Sequence, residues 1–297
     1  MPKLSIVIAV KDGDANLPAL LDAVGGRDDT EVVVCTAGGA PAIGPRKNVI
    51  LIPMPIDTLT PSLWSEGIAH AHGQAVALTT SQFVPKPNWL QRLHDADLER
   101  WAGVGGAIDN DPDASGRNWA IFFLRYSAFA PPLNAGETDE IAADNAVYDR
   151  AAIMAHPDLL AGGFWEPSFH RRFRAAGSKL MLDPGLVLVH HGTVRGRQFA
   201  RQRYLHGRAF GIERASQGNV VRNLVLLGMS PLVTPLLLGR IMARMANRAA
   251  FRAKLLPAFP WLVGFSLAWA AGEASGYLAV LLKRRRRGAL DPFKGHS

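Results

Sequence analysis

The sequence is short of the features that most readily assign a chain to a class. It has one cysteine, Cys35, in 297 residues, which excludes an internal disulfide framework and suits a reducing compartment. Cys35 ends an apolar run and reads as a small buried hydrophobe rather than a reactive thiol. No G-x-G-x-x-G follows the first apolar run, and the nearest clustered glycines, Gly103, Gly105 and Gly106, come far later, so a dinucleotide site is not supported. Helix-turn-helix, OB and zinc patterns are missing too, which argues against nucleic acid as a partner. Lys3 leads directly into LSIVIAV, and no signal peptide is expected. Acidic residues nearly vanish from the last third. Residues 201–297 hold 16 Lys+Arg and 3 Asp+Glu, against 17 and 22 in residues 1–200, so the net +8 averages a −5 region with a +13 region. A basic end of this kind meets an anionic surface, and its long apolar runs favour phospholipid headgroups.

What is present is alternation. Leu4 to Val10, Glu31 to Cys35, Val49 to Ile52, Ala75 to Thr79 and Val104 to Ile108 are short apolar, β-branched runs. Helical patterns fall between them, at Leu17 to Val24 and at Pro61 to His72, the latter capped by Thr60 or Ser62. This spacing predicts a doubly wound, mostly parallel α/β sheet. After Asp109 come a turn-rich loop, a helix over Trp119 to Tyr126, and the short strands KLMLD and LVLVHH.

Three places could carry chemistry. In open α/β sheets ligands bind outside the carboxyl ends of the strands. Thr80, Ser81 and Gln82 sit at such an end, and Pro87 then opens a helix with Trp89, Leu90 and Leu93 inward. An ordinary strand-to-helix loop fits equally well. In FWEPSFHRRFRAAG, Pro167 starts a helix and puts Glu166 at its mouth, where a carboxylate is favoured by the helix dipole. Phe164 and Trp165 would desolvate it, which raises its pKa and suits a general base; a plain helix-capping Glu is the alternative. His190 and His191 end a strand, and Arg201, Arg203 and Arg208 follow. Together they could hold a diphosphate or form a charged surface.

The order of these segments resembles a family 2 glycosyltransferase of the GT-A type over about residues 1–210. LSIVIAVKDGDANLPALLDAV resembles that family's opening strand and helix, GIAHAHGQAVALTT its approach to the metal motif, and FVPKPNWLQRL the continuation. IAADNAVYDRAAI, with Asn145 and Arg150, resembles the acceptor-side segment. WEPSFHRRFRAAG resembles the motif that supplies the base, and LDPGLVLVHH the strand that brings a His to the donor phosphates. The resemblance implies inverting sugar transfer from a nucleotide-activated donor to a lipid-linked or cell-envelope acceptor, as in polysaccharide biosynthesis. Glu166 would be the general base. Asp12, Thr36, Thr80, Ser81, Gln82, His190, His191, Arg201, Arg203 and Arg208 would lie on the donor side, and Asp144, Asn145 and Trp165 on the acceptor side.

The sequence departs from that family where the donor binds. The family's Asp-x-Asp is replaced by Thr80-Ser81-Gln82, the second strand ends in Cys35-Thr36-Ala37 where acids are usual, and Asp12 stands where Asn is common. Mg²⁺ and Mn²⁺ need anionic oxygen ligands, so this neutral set is expected to hold them poorly, with only Gln82 and His190 left to touch a metal. Either the donor is unusual, or protein cations (His190, His191, Arg201, Arg203, Arg208) replace the metal, or the domain no longer transfers sugar and is a catalytically silent binder of sugar or nucleotide that scaffolds a membrane complex.

Residues 211–297 read as a helical, membrane-associated region. Leu224 to Leu238 is uncharged but short for a span. Arg240, Arg244, Arg248 and Arg252 recur every fourth residue, as on an interfacial helix. Leu255 to Leu282 carries one charge, Glu273, and is basic at both ends. The positive-inside rule then favours a re-entrant or in-plane helix pair bent at Pro257, Pro260 and Gly272, with an Arg of the stripe pairing Glu273. The expected location is the cytoplasmic face of a bacterial-type inner membrane.

Overall fold

The computed structural model describes residues 2–11, 15–39, 41, 43–44, 46–192 and 194–289, with side chains to Lys283. Asp12 lies outside the described residues. The chain divides into two packed units, residues 1–113 with 128–193, and residues 114–127 with 194–297. The division thus comes before residue 210.

The first unit is built on a nine-stranded mixed sheet. Its strands are β1 (Leu4–Val10), β2 (Thr30–Ala37), β3 (Val49–Met54), β4 (Ala75–Thr80), β5 (Phe83–Pro85), β6 (Gly103–Asn110), β7 (Gly136–Thr138), β8 (Ala146–Asp149) and β9 (Leu180–His190). The order is β3-β2-β1-β4-β8-β6-β9-β5, with β7 also on β9. The β3-β2-β1-β4 half is parallel, with Val7 opposite both Val33 and Leu78. All seven β1 residues are buried, as a central parallel strand covered on both faces requires. β8 runs antiparallel between β4 and β6.

Helices α1 (Leu17–Val24), α2 (Thr60–His70) and α3 (Trp89–His94) belong to this unit. So do α5 (Arg150–Met154), α6 (Pro157–Ala161) and α7 (Glu166–Ala175), while α4 (Gly116–Tyr126) belongs to the second. Neither Thr60 nor Ser62 caps α2: the cap position is Leu59, with no side-chain bond. Gly67 lets α2 lie directly on Val7, whose side chain a Cβ would strike. Helix α3 begins two residues after Pro87, at a left-handed Asn88. Phe164, Phe169, Phe173 and Tyr148 are buried in one core cluster with Leu63, Trp64 and Leu78.

KLMLD and LVLVHH form one strand rather than two. β9 pairs with β6 throughout, but the register jumps from Gly106–Asp183 to Ala107–Val187. The buried Asn145 amide fills the irregularity, donating to Ala107 O at 2.8 Å and Leu186 O at 3.0 Å. A Cβ on Gly106 would strike Leu186 O, so glycine is what lets the backbone close there.

The second unit is helical: α4, α8 (Gly196–Ser216), α9 (Val220–Met229), α10 (Val233–Met245) and α11 (Ala249–Ala289). Trp119, Phe122 and Phe123 of α4 pack on Phe251 of α11. Helices α8 and α11 meet backbone to backbone. A Cβ on Gly207 or Gly211 would strike the carbonyls of Trp269 or Glu273, and one on Gly272 or Gly276 those of Tyr204 or Arg208. Small residues four apart on both helices permit this approach.

Several expectations for this region are corrected. Residues 220–245 are helical almost throughout, so the uncharged run sits inside a 26-residue stretch long and apolar enough to cross a membrane. The arginine stripe is not one helix. Arg240 and Arg244 lie on α10 and Arg252 on α11, with Arg248 between them. Arg244 and Arg248 donate to the Ser127 hydroxyl and carbonyl at 3.2 and 3.1 Å, closing the end of α4. Residues 255–282 form no re-entrant pair, because α11 is a single 41-residue helix that passes through Pro257 and Pro260. Glu273 is paired outside the stripe: Tyr277 Oη donates at 2.6 Å, Trp269 Nε1 at 3.2 Å, and Arg214 Nη1 lies 3.7 Å away.

Candidate active site

The parallel strands deliver Thr80, Ser81 and Gln82 to the carboxyl end of β4. Ser81 N donates to Ala9 O at 3.1 Å, extending the β1–β4 ladder by one residue. Ser81 is buried, and Thr80 and Gln82 are partly so. The chain then turns into β5, which runs antiparallel to the end of β9 with Phe83 opposite His190. His191 N donates to Gln82 O at 2.8 Å. Three donor-side candidates, Gln82, His190 and His191, are therefore brought together. They differ in what they can offer. His190 is 1% exposed, packs edge-on against Phe83, and has Nδ1 3.1 Å from Asn110 Oδ1. His191 is partly exposed and pairs with Asp111 at 3.2 Å. His191 is thus the more exposed of the two histidines, and His190 is packed between the strand ends.

Glu166 reaches the same end of the sheet by another route. The last β4–β8 pair is Leu78–Ala146, so the 3₁₀ turn Ala143–Asn145 lies just beyond it, at the end of β4 that carries Thr80. Glu166 is the first residue of α7, with Pro167 next. Its Oε2 accepts the Ala143 N–H at 2.8 Å. Burial pushes its pKa up to about 8, and the Asp144 charge adds to this, while the Ala143 N–H works the other way. A carboxyl poised near neutrality can take a proton from a hydroxyl.

Beneath it, one turn along α7, His170 Nε2 meets the Tyr148 hydroxyl at 3.0 Å. Burial holds His170 down at about 4 and raises Tyr148, which the Glu166 and Asp144 charges raise further. Sequence reasoning missed this pair and Asp111. Asp111 was within reach of the rule that selected Thr80, since it follows the carboxyl end of β6. His170 sits four residues after Glu166, on the same side of a helix.

The other candidates differ in burial and partners. Asn145 is fully buried, and its remaining capacity goes to Trp89 Nε1 at 2.8 Å, so it is a structural wedge rather than an acceptor ligand. Trp165 is 45% exposed beside Glu166. Thr36 is the penultimate residue of β2, with its hydroxyl buried and unpartnered among the described residues. Arg201, Arg203 and Arg208 belong to α8 of the second unit. There the Arg203 guanidinium stacks 4.3 Å from the Trp269 ring.

The donor set does not fit a hard divalent cation. The strand end offers hydroxyls and an amide, with no carboxylate among Thr80, Ser81 and Gln82. Among the described residues no group of three or more His, Cys, Asp or Glu side chains converges.

No protein-family model matches the sequence, and no curated protein matches it. Solved structures do. The mannosyltransferase PcManGT from Pyrobaculum calidifontis, solved with GDP-Man and Mn²⁺, matches 99% of this chain and 81% of its own, at 16% identity and a TM-score of 0.50. S. aureus TarS 1–349 matches 96% and 92%, at 10% identity and a TM-score of 0.48. The fold is GT-A-like. In this GT-A-like sheet Thr80 and Gln82 stand at the carboxyl edge, and the turn that holds Glu166 abuts it.

Proposed function

We propose that the first unit is a glycosyltransferase that moves a sugar from a nucleotide-activated donor to a lipid-linked or cell-envelope acceptor. The observation that carries this reading is Glu166, with its pKa raised to about 8, held on Ala143 N–H at the end of β4. In this reading Glu166 takes the proton of an acceptor hydroxyl. The oxygen attacks the anomeric carbon opposite the leaving nucleotide, which inverts the configuration. Asp144 and Trp165 flank the acceptor. His191 and backbone groups at the strand ends offset the charge that grows on the leaving diphosphate, usually the largest single contribution to such a step. No step is routed through a metal, because the donor set does not fit one. PcManGT was solved with GDP-Man and Mn²⁺, which supports a nucleotide sugar as the class of donor.

The second unit supports placement at a membrane. Residues 220–245 and 249–283 are long and apolar enough to cross one, and only 17% and 33% of their most apolar windows are buried. With the +13 charge of residues 201–297, this favours the cytoplasmic face of a bacterial-type inner membrane.

A second reading rests on Thr80-Ser81-Gln82: a silent relative that binds sugar or nucleotide and scaffolds a membrane complex. Titration of nucleotide sugars with and without Mn²⁺, followed by a transfer assay, separates the two. Binding without turnover supports the scaffold; the absence of binding under either condition ends the transferase reading.

A further inference from the structure

Arg203 is anomalous among the arginines of the second unit. It lies on α8 with its guanidinium 4.3 Å from the centre of the Trp269 ring. Its Nε is buried without a hydrogen-bond partner among the described residues. A buried guanidinium normally has an acid beside it, since an unpaired charge in a poorly solvated place is costly. Here the charged group that acts on it is another cation. Arg125 of α4 lies 5.3 Å over the Phe199 ring, one turn before Arg203 on the same side of α8. It also donates to Gln202 at 3.2 Å. Burial, and then Arg125, hold the Arg203 pKa down at about 10. The acid on the adjoining turn of α11 is committed elsewhere, as Glu273 takes Trp269 Nε1, Tyr277 and Arg214.

The geometry points to an anion site at Arg203 and Arg125 that takes the phosphate of a lipid. The Arg203 fork, backed by the Trp269 ring, presents donors suited to a tetrahedral oxyanion, and Arg125 adds a second positive charge. The walls are apolar, formed by Phe199 and Trp269, which favours a phosphate carried on a hydrocarbon chain over a fully hydrated one. Helix α8 itself exposes Tyr204, Leu205 and Phe210, apolar surface on which such a chain can lie. The lipid is either a membrane phospholipid or the phosphate-bearing acceptor of the proposed reaction. The site rests on the membrane reading of this unit but can be tested apart from it.

The test uses the full chain. Soluble short-chain phosphatidic acid should bind, and inorganic phosphate at the same concentration should not displace it. Phosphatidylcholine vesicles doped with phosphatidic acid should bind more tightly than vesicles of equal charge doped with phosphatidylserine. R203Q should weaken phosphatidic acid binding roughly tenfold or more, the worth of a charge-assisted hydrogen bond. R203K, which keeps the charge but loses the fork, should lose most of that. R222Q, on an exposed residue of α9, should leave the headgroup preference intact. Binding of short-chain phosphatidic acid without vesicle binding would keep the site and remove the membrane reading. Vesicle binding without headgroup preference would do the reverse. Displacement by inorganic phosphate or by a nucleoside diphosphate would overturn the assignment to a lipid, as would full binding by R203K.

Discussion

The two units spend their apolar residues in opposite ways. The sheet unit hides them. Among the described residues only five of its large hydrophobics are exposed, Ile50, Ile56, Leu59, Met154 and Trp165, against seventeen in the helical unit. In the first unit burial raises the pKa of the Glu166 carboxyl, the group that the proposed transfer uses as its base. In the second, the α4–α11 contact is aromatic and the α8–α11 contact is made by glycines, while many outward side chains stay apolar. A soluble unit of that size rarely leaves so many large apolar side chains uncovered.

The contrast can be broken by experiment. The largest effect belongs to Glu166. E166Q should lower transfer by about 10² to 10⁴-fold, the usual contribution of a general base, with the circular dichroism spectrum unchanged. The wild-type rate should climb with pH through about 8, since the base must be deprotonated. Its raised pKa also means that folding loses stability as pH rises from the ordinary carboxyl range through 8. E166Q should abolish that slope in pH-dependent denaturant melts.

Next comes the core. F169A should cost about 3–5 kcal/mol by urea unfolding, and a cost below 1 kcal/mol would refute the packing described. His170, held near 4, should make the sheet unit lose stability as pH falls from about 6.5 towards 4, by up to roughly 2–3 kcal/mol. The unfolded chain takes up that proton first. H170Q should flatten this acid limb.

Smaller effects belong to the helical unit. G272A should cost about 1–3 kcal/mol, because its Cβ meets the Tyr204 carbonyl rather than a side chain that can turn aside. Smallest of all, V221S, at 70% exposure, should change stability by under about 0.5 kcal/mol while weakening retention on vesicles. A stability loss comparable to that of F169A would show that the outward face is covered after all.

How much of this was legible in the sequence depended on range. The buried parallel strands announce themselves by composition, and β1, β2 and β4 fall where their β-branched runs predict. Glu166 was readable from Pro167 and the aromatic residues before it. β5 was not, because three residues carry no periodicity and its pairing with β9 is set by the fold. Asn145 was misassigned for a related reason: only the register jump in β9 creates the hole that its amide fills. In the helical unit the fourfold spacing of arginines drew attention from the fourfold spacing of glycines. The arginine period straddles a break between α10 and α11, whereas the glycine period coincides with a true contact.

The perch of Glu166 has a consequence of its own. The group that receives its carboxylate is a main-chain amide, an N–H that every residue but proline carries. Asp144, the one side chain of that turn that is not buried, can therefore change, and with it the acceptor preference of the proposed reaction, without loosening the hold on the carboxylate. Proline is the exception: A143P would remove the anchor while leaving every functional group of the site in the sequence.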